Sequence, residues 1–463
     1  MTMWIPNLSS KRGPRYLAIV NAIGEAVESG ELSEGDKLLP QRDFAYRIGL
    51  TLGTVSRAFS LAQKRGLIRG EVGRGSFVCG QNLTRTGLDF RPRSPTGEIV
   101  DLSCFLPGGN RIIAAISKVI GELQQEGDIL SLHRYPPGAG IKSHRIAGAK
   151  WVGRLGFDVN AADIIVCPGA QQALSATMAT ITSPGEIILT EALTYSGVKQ
   201  LAHLFHLRPE GIAIDHEGIL PDALEAACVT SQSRVLYIQP SVHNPTTAVM
   251  SAERRKDIAA IARKFDLTVI EDASCAALLL DGPPPIATLI PERTVFIVGT
   301  SKSLSPSLRT GFLTCPHDLR RRIAANMHTL SLSSAPLMAE IAARLINSVD
   351  MTAMLKLLRS DLADQHDRVE RILGSFEIQH HPAAPYTWLK LPSSWRADDF
   401  SSTAKMHGVA VVSAENFAVG RINAPHDIRI SVGISAQQRT FESGLLTLAN
   451  LLGKPPQPQH SIV

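Results

Sequence analysis

A single lysine follows an apolar, β-branched run in a stretch of the sequence that carries little other charge. Residues 294–298, TVFIV, lead through a Gly/Thr/Ser segment to Lys302, and Arg309 follows seven positions later. A lysine amine can form a Schiff base with a carbonyl compound, and the planar guanidinium of arginine binds phosphate oxygens in pairs. The segment therefore combines a nucleophilic amine with an anion-binding group at the end of a predicted strand.

Four further apolar runs, at 164–167, 187–190, 234–239 and 267–270, are separated by amphipathic helical stretches. This alternation predicts an α/β domain with a mainly parallel sheet covered on both faces. The carboxyl ends of parallel strands share one edge, where ligands bind. The polar groups that follow the five runs are a helix start at Gly169, Ala170 and Gln171, then Tyr195, Asn244, Asp272 and Lys302.

These residue types suit one cofactor, pyridoxal phosphate. A lysine can hold its aldehyde, and a carboxylate such as Asp272 keeps its pyridine nitrogen protonated, which makes the ring an electron sink. The amide of Asn244 can donate to the ring oxygen, the ring of Tyr195 can stack on the pyridine, and a helix start with Arg309 can bind the phosphate. Each residue alone also has a structural explanation, such as a cap, an ion pair or a turn. Their order at successive strand ends favours the cofactor site.

The N-terminal region is basic and helical. Residues 1–80 carry eleven Lys/Arg against seven Asp/Glu, whereas the rest of the chain is almost neutral. Apolar spacing predicts three helices, at 15–29, 42–50 and 52–67. Gly49 ends the second helix, Thr51 is the N-cap of the third, and two short strands then flank a Gly-rich tip that contains Arg74. Helix, turn, helix and hairpin wing is a DNA-binding pattern, and the positive charge suits a polyanion.

Residues 35–78, GDKLLPQRDFAYRIGLTLGTVSRAFSLAQKRGLIRGEVGRGSFV, resemble the winged helix-turn-helix of the GntR family of bacterial regulators. The resemblance extends over about residues 14–80 in order and implies that the third helix enters the major groove of DNA. The DNA-binding residues that follow from it are Thr51, Thr54 and Arg57 on the third helix, Arg42 on the second, and Arg74 in the wing.

The order and spacing of the strand-end residues over 100–455 resemble the fold-type I aminotransferases, which have a large and a small subdomain. A winged helix followed by such a domain resembles the MocR group of GntR regulators. This resemblance implies that Lys302 forms the Schiff base with pyridoxal phosphate. It assigns Asp272 to the pyridinium nitrogen, Asn244 to the ring oxygen and Tyr195 to the ring face. The residues it places around the phosphate are Gly169, Ala170, Gln171, Ser301 and Arg309.

Near the C-terminus, DIRISVG resembles the segment that supplies an arginine for a substrate or effector carboxylate, here Arg429. Residues 135–151 resemble the stretch that approaches the site from a neighbouring subunit, which implies a homodimer and paired half-sites on DNA. Two positions depart from the aminotransferase pattern. Cys275 stands where a tyrosine is expected, and Gly299 stands where a serine or threonine is expected.

Two functions are compatible with these observations. The first is a transcriptional regulator that senses pyridoxal phosphate or an amino compound through an aminotransferase-like domain. The second is a working amino acid aminotransferase with an appended DNA-binding domain. The complete winged helix favours the first, and Cys275 and Gly299 weigh against efficient turnover. The predicted organisation is a winged helix at 1–80, a linker at 81–99, the aminotransferase-like domain at 100–455 with its small subdomain at about 350–455, and a tail at 456–463.

The composition narrows the class of protein further. The 463 residues exceed one compact core, so two or three domains are expected. Six scattered cysteines without C-x-x-C spacing predict neither a metal site nor a disulfide framework and fit a reducing compartment. We find no signal-peptide pattern and no apolar run of about 18 residues. The expectation is a soluble cytoplasmic protein.

Overall fold

The computed structural model describes residues 4–6, 15–28, 31–32, 36–64, 67–71, 75–78, 99–107, 109–279, 281–420, 424–433 and 438–454. The chain divides into two compact units, Met1–Asp89 (unit 1) and Phe90–Val463 (unit 2). Within the described ranges, no helix has the length and apolar character that crossing a membrane requires.

The described residues of unit 1 form three helices and a hairpin, as the sequence predicts. These are α1 (Arg15–Glu28), α2 (Gln41–Ile48), α3 (Leu52–Lys64), β1 (Ile68–Glu71) and β2 (Gly75–Val78), and the two strands are antiparallel. Gly49 ends α2 in the left-handed conformation with φ 68°, a position where a residue with a Cβ would be strained. Val55, Phe59 and Ala62 are buried in the core, and the Phe59 ring meets Phe44 edge-on at 5.2 Å between centroids.

Unit 2 alternates strands and helices. Its strands are β3 (Val100–Asp101), β4 (Ile165–Cys167), β5 (Ile187–Glu191), β6 (Arg208–Ile212), β7 (Ile214–Asp215), β8 (Gly218–Ile219), β9 (Val235–Ile238), β10 (Thr268–Asp272), β11 (Thr294–Gly299), β12 (Gly311–Thr314), β13 (Ile378–His380), β14 (Tyr386–Lys390), β15 (Val409–Ala410), β16 (Val412–Ser413) and β17 (Asp427–Ser431). Its helices are α4 (Gly109–Glu126), α5 (Lys142–Gly153), α6 (Ala170–Ile181), α7 (Ser196–Leu204), α8 (Pro221–Ser231), α9 (Ala252–Lys264), α10 (Ile286–Leu289), α11 (His317–Ser331), α12 (Pro336–Asn347), α13 (Met351–Leu373), α14 (Ala397–Met406) and α15 (Gln438–Leu452).

The large sheet has seven strands in the order β4-β12-β11-β10-β9-β5-β6. Neighbouring strands from β11 to β6 are parallel, and β12 runs antiparallel between β11 and β4. The central strands are buried along their whole length, for example all six residues of β11. This explains why they are continuous apolar runs in the sequence, because helices cover both faces of such a sheet.

A second, four-stranded sheet follows in the order β13-β14-β17-β16. Its core is a separate apolar cluster that includes Trp395, Phe400 and Phe441. The short strand β3 pairs with β15, so the first strand of unit 2 joins this C-terminal subdomain. The sequence did not predict that pairing, because it joins segments some three hundred residues apart.

All five predicted strands of the large sheet are present, but their ends differ by one or two residues. The run at 267–270 extends to Asp272, so this carboxylate belongs to β10 itself, and Gly299 is the last residue of β11. Strands β6 and β12 were missed. β6 contains proline and glycine and lies at the sheet edge, and β12 is short and bounded by Thr310 and Cys315.

Candidate functional site

Asp272 is the last residue of β10, so its carboxylate lies at the carboxyl end of this central strand. The residue is buried, with 6% of its surface exposed. Its Oδ2 accepts hydrogen bonds from the Tyr237 hydroxyl at 2.8 Å and from Gln239 Nε2 at 3.3 Å. Its Oδ1 accepts from the amide N of Ser274 at 3.0 Å and from its hydroxyl at 2.5 Å. Four donors fix the orientation of the carboxylate, which is the geometry needed to hold a cationic nitrogen at the strand end.

The structure brings Tyr195, Asp272, Lys302 and Arg309 together. Burial raises the pKa of the Tyr195 phenol to about 12; Asp272 raises it as well, whereas Lys302 and Arg309 lower it. Such effects require the three charges to lie close to the phenol. Lys302 Nζ lies 5.6 Å from the centroid of the Phe105 ring and makes no hydrogen bond or ion pair with the part of the chain that the structure describes. Its amine is therefore available to a ligand.

The phosphate end of the site is built by a glycine and an arginine. Gly169 precedes α6 with φ 89°, and a Cβ there would stand 2.7 Å from Arg309 Nη2. Only glycine permits both the backbone conformation and this approach. Arg309 itself has φ 44° and donates through Nη2 to the carbonyl of Pro168 at 3.4 Å. The guanidinium is thus held beside the free N–H groups at the start of α6, where an anion is stabilised.

Ala170 and Gln171 form the first turn of α6. Gln171 Nε2 donates to the carbonyl of Gly197 at 3.3 Å, and its Oε1 is buried without a hydrogen-bond partner among the described residues. A Cβ at Gly197 would clash with the ring of Tyr195 at 2.3 Å, so this glycine lets the ring pack onto the site. Ser301 is half-buried in the turn just before Lys302.

The hydroxyl that the aminotransferase pattern expects near the phosphate is not replaced by Thr300. Thr300 is fully buried, and its hydroxyl donates to the carbonyl of Thr310 at 2.8 Å. Gly299 leaves room instead, because a Cβ there would lie 3.4 Å from Ala170 Cβ and 3.6 Å from Ser274 Oγ. The hydroxyl of Ser274 is therefore the nearest one to that position.

Arg429 and Asn244 meet across the two subdomains of unit 2. Arg429, in β17, is 8% exposed; it donates through Nη1 to Asn244 Oδ1 at 2.8 Å and through Nη2 to the carbonyl of Ser103 at 2.5 Å. Its guanidinium lies 4.4 Å from the ring centroid of Tyr386 and 5.0 Å from that of Phe417. Burial lowers the pKa of Arg429, and its Nε is buried without a partner among the described residues. Each terminal nitrogen of Arg429 thus donates one hydrogen bond, and Nε donates none among the described residues.

Cys275 lies in packed apolar surroundings. It is 7% exposed and belongs to the same buried cluster as Val242, Leu278 and Tyr386. Burial raises the pKa of the Cys275 thiol to about 12, so the thiol is neutral at physiological pH. Burial also raises the pKa of the Tyr386 phenol, and Cys275 contributes to that rise. The phenol of Tyr386, in β14, therefore lies near Cys275. In the aminotransferase pattern a tyrosine stands at position 275 itself.

Sequence reasoning missed four residues that bond or flank the predicted set: Tyr237, Gln239, Ser274 and Tyr386. Tyr237 lies within the apolar run of β9, where nothing in the sequence distinguishes it from a residue of the hydrophobic core. Gln239 directly follows that strand, so the strand-end rule that found Asn244 could also have found it. Tyr386 reaches the site from β14 in the other sheet, and no local pattern reports that.

Four of the predicted DNA-binding residues are described: Arg42 lies on α2, Thr51 directly precedes α3, and Thr54 and Arg57 lie on α3. Thr51 Oγ1 accepts from the amide N of Thr54 at 3.3 Å, so Thr51 is the N-cap of α3 as predicted. Arg42 and Arg57 are exposed, and the Arg57 guanidinium stacks 4.2 Å from the ring centroid of Tyr16. Thr54 is half-buried, and Arg74 lies outside the described residues. Tyr46, which is not among the predicted residues, is 89% exposed on α2.

Metal chemistry has no support in the described ranges, where no group of three or more His, Cys, Asp or Glu side chains could hold an ion. The chain does fit pyridoxal phosphate. The cradle at Gly169 would be filled by any Cβ, Arg309 lines it, and Asp272 and Lys302 stand at neighbouring strand ends. An anion, a cationic ring nitrogen and a carbonyl group can each be bound here.

Comparisons with known proteins identify the family and the fold. Residues 106–440 match the family Aminotransferase class I and II. The chain is 30% identical to the HTH-type transcriptional regulator YdeF of Bacillus subtilis over 97% of its own length and 96% of the relative's. It is 23% identical to the HTH-type transcriptional regulator YdcR of Escherichia coli, over 88% of this chain and 92% of the relative. Among solved structures, an archaeal alanine:glyoxylate aminotransferase matches with a TM-score of 0.71 and 21% identity, covering 77% of this chain and 91% of that one.

These matches confirm that unit 2 has the fold-type I aminotransferase fold. They thereby confirm the resemblance to the aminotransferases that the sequence showed. They also favour the regulator over the appended-enzyme alternative, because relatives similar over nearly the whole chain are named as regulators. Pyridoxal phosphate is the cofactor that this fold and family use. The chain belongs to the family of HTH-type transcriptional regulators that carry an aminotransferase class I and II domain.

Proposed function

We propose that the protein is a MocR-group regulator of the GntR family. In this proposal unit 1 binds double-stranded DNA in the cytoplasm, and unit 2 senses pyridoxal phosphate or an amino compound that reacts with it. The observation that carries the sensing half is the position of Asp272 and Lys302 at the paired ends of β10 and β11, next to the start of α6 where Gly169 faces Arg309. The exposed positions of Arg42, Thr51 and Arg57 on α2 and α3 support the DNA-binding half.

Each residue of the site has a defined task towards the cofactor. When bound, pyridoxal phosphate supplies an electrophilic aldehyde and an electron-accepting ring. Lys302 holds the aldehyde end through its amine, Arg309 and the start of α6 neutralise the phosphate, and Asp272 pairs with the ring nitrogen. The Ser274 hydroxyl can rotate away from Asp272 Oδ1, which makes that oxygen free to accept from the ring. Since Asn244 Oδ1 already accepts from Arg429, its amide N–H groups remain to donate to the ring oxygen.

Arg429 gives the site a way to report an effector. Its Nη1 bonds Asn244 in the large subdomain, while Arg429 itself belongs to β17 in the small subdomain. A carboxylate that takes the arginine's donors would compete with Asn244 Oδ1 and with the Ser103 carbonyl. Binding an amino acid would therefore alter a contact between the subdomains, and this difference in contacts can shift DNA binding.

A homodimer is part of the proposal. Exposed apolar side chains cluster in the first part of unit 2: Ile113 is 61% exposed and Ile120 46%, Leu130 82% and Tyr135 85%. Ile113 and Ile120 lie two turns apart on one face of α4. A second copy of the chain would bury these side chains, and its two-fold symmetry would match paired half-sites on DNA.

The decisive experiment is an absorbance titration of the purified protein with pyridoxal phosphate, repeated with Lys302→Ala. We expect a visible band from the covalently held cofactor in the unaltered protein and its loss in Lys302→Ala. Lys405→Ala, which changes a lysine on the remote helix α14, should keep the band. The proposal fails on the sensing side if the unaltered protein shows no band at any cofactor concentration.

The regulatory half needs a second measurement in the same samples. Adding amino acids should change the affinity of the full chain for a DNA site with paired half-sites, and Arg429→Leu should remove that response while leaving the cofactor band. Fast, complete turnover of the amino acid with no effect on DNA binding would favour the aminotransferase alternative instead.

A further inference from the structure

A second buried carboxylate lies behind the cofactor site and has no assigned task. Glu191 is the last residue of β5 and is 1% exposed. Its Oε1 accepts from the amide N of Gln239 at 2.6 Å, and its Oε2 accepts from the Thr194 hydroxyl at 3.0 Å. It forms no ion pair within the described ranges. A buried carboxyl without a cationic partner is costly, which calls for an explanation.

Gln239 connects this carboxylate to the site. Its Nε2 donates to Asp272 Oδ2 at 3.3 Å, and its Oε1 accepts from the amide N of Asn244 at 3.2 Å. One glutamine thus bonds the residue for the ring nitrogen and the residue for the ring oxygen, and Glu191 holds that glutamine by its backbone. Removing the Glu191 side chain would free Gln239 and disturb both.

The charges around Glu191 are acidic or phenolic. Burial raises its pKa to about 7, hydrogen bonds from Gln239 and Thr194 lower it, and the negative charge of Asp272 raises it. Tyr237, which donates to Asp272, also faces Glu191, since both carboxylates raise the pKa of its phenol. A cationic pyridine ring paired with Asp272 would cancel the charge that raises the pKa of Glu191. The carboxyl would then ionise more easily.

We propose that Glu191 is a positioning residue of the cofactor site that acts through Gln239 on Asp272 and Asn244, and that it releases its proton to solvent when the cationic ring binds. This inference rests on the proposed cofactor site. Because the ring and the ionised Glu191 favour each other, cofactor binding tightens as the pH rises through the range where Glu191 titrates.

Glu271 offers a matched control in the same sheet. It is fully buried, burial raises its pKa to about 7 as for Glu191, and it directly precedes Asp272. Its oxygens, however, accept from the amides of Ile286 at 3.1 Å and Ala287 at 2.8 Å, and the positive charge of Arg255 lowers its pKa. Successive residues of a strand point to opposite faces, so Glu271 faces away from the cofactor side chains.

The test is the dissociation constant of pyridoxal phosphate, measured by absorbance across about pH 6 to about pH 8 in the full chain. We expect the unaltered protein and Glu271→Gln to share one pH slope, including the cofactor's own titration. In Glu191→Gln the amide oxygen can still accept from the amide N of Gln239, and the amide NH2 can donate to the Thr194 hydroxyl, as a protonated carboxyl would. The variant cannot ionise, so its affinity should match at low pH and fall roughly tenfold behind at high pH. Glu191→Ala should bind more weakly at every pH.

The outcomes separate two failures. Equal pH slopes for Glu191→Gln and Glu271→Gln would overturn this inference alone, because the cofactor would still be bound. No binding by the unaltered protein would overturn the proposed cofactor site and this inference with it. Calorimetry in two buffers of different protonation enthalpy provides an independent readout, since proton release on binding should disappear in Glu191→Gln and persist in Glu271→Gln.

Discussion

Gly299 ends β11 with ordinary contacts around the place where a Cβ would stand, 3.4 Å from Ala170 Cβ and 3.6 Å from Ser274 Oγ. Gly169 has φ 89°, and a Cβ at this position would stand only 2.7 Å from Arg309 Nη2. Two glycines at the phosphate end therefore differ in what they permit. At Gly299 the site could accommodate a side chain with a hydroxyl, which this chain lacks. At Gly169 the absence of a side chain is required for Arg309 to approach.

Gly299→Ser should be tolerated and should strengthen the binding of pyridoxal phosphate. The new hydroxyl lies near the start of α6, where it can donate to the phosphate, and one added hydrogen bond gives an expected gain of about three- to tenfold. Gly299→Ala is the control, since it adds the Cβ without the donor and should leave the affinity unchanged. A loss of affinity in both variants would show that the space is already used.

Gly169→Ala should weaken cofactor binding, with Gly185→Ala as the matched control. Both glycines have φ 89°, a value that L side chains rarely adopt, so both substitutions strain the backbone. Only Gly169 has Arg309 against the new Cβ, whereas Gly185 has nothing within 4 Å. Urea unfolding should show a loss of stability in both variants. The dissociation constant of the cofactor should rise, by roughly tenfold or more, in Gly169→Ala alone.

At the scale of elements, strand ends and helix caps place the chemistry. β10 ends on Asp272, and β11 beside it ends three residues before Lys302. In unit 1, the turn between α2 and α3 contains Gly49 in the left-handed conformation and Thr51 as the cap. Both arrangements could be predicted, because strand ends and caps follow from residues close together in the chain.

Thr51→Ala should loosen α3 and thereby weaken DNA binding. The substitution removes the acceptor for the amide of Thr54, a loss of about 1 kcal/mol for an N-cap. Hydrogen exchange followed by mass spectrometry should show about fivefold faster exchange in α3, with unit 2 unchanged. Thr51→Ser keeps the acceptor and should behave like the unaltered protein. If Thr51→Ala exchanged no faster, the cap would not stabilise this helix.

At the scale of the whole molecule, two compact units carry two tasks, and the proposed dimer relates two copies of each. The exposed apolar face of α4 is the physical argument for that dimer, because such a face is costly in water. The proposed residues of the sensing site all belong to one chain. Residues 135–151, however, resemble a segment that approaches the site of a neighbouring subunit.

Ile113→Asp should shift the protein from dimer to monomer in sedimentation velocity and weaken binding to paired half-sites. A charge on this face would have to be buried without a partner. Val229→Asp on α8 is the matched control, because Val229 is 64% exposed against 61% for Ile113. Dissociation by both substitutions, or by neither, would contradict a dimer through α4.

The sequence predicted more of the proposed cofactor-binding residues than of the residues that hold them in place. Lys302, Asp272, Asn244, Tyr195 and Arg309 stand at strand ends, so alternation of apolar runs and helices was enough to group them. Their partners could not be grouped in this way. Tyr237 looked like core in an apolar run, and Tyr386 comes from a different sheet.

From the residues alone, the fold class, the helices and hairpin of unit 1 and the cofactor pyridoxal phosphate could be predicted, because each depends on local periodicity or on residues at the ends of successive strands. The packing of distant segments was needed to show that Arg429 holds Asn244, that Thr300 bonds Thr310, and that Glu191 reaches Asp272 through Gln239. Hydrogen bonds between distant segments have direction and short range. Their partners are therefore fixed by how the strands and subdomains pack, which no spacing in the chain records.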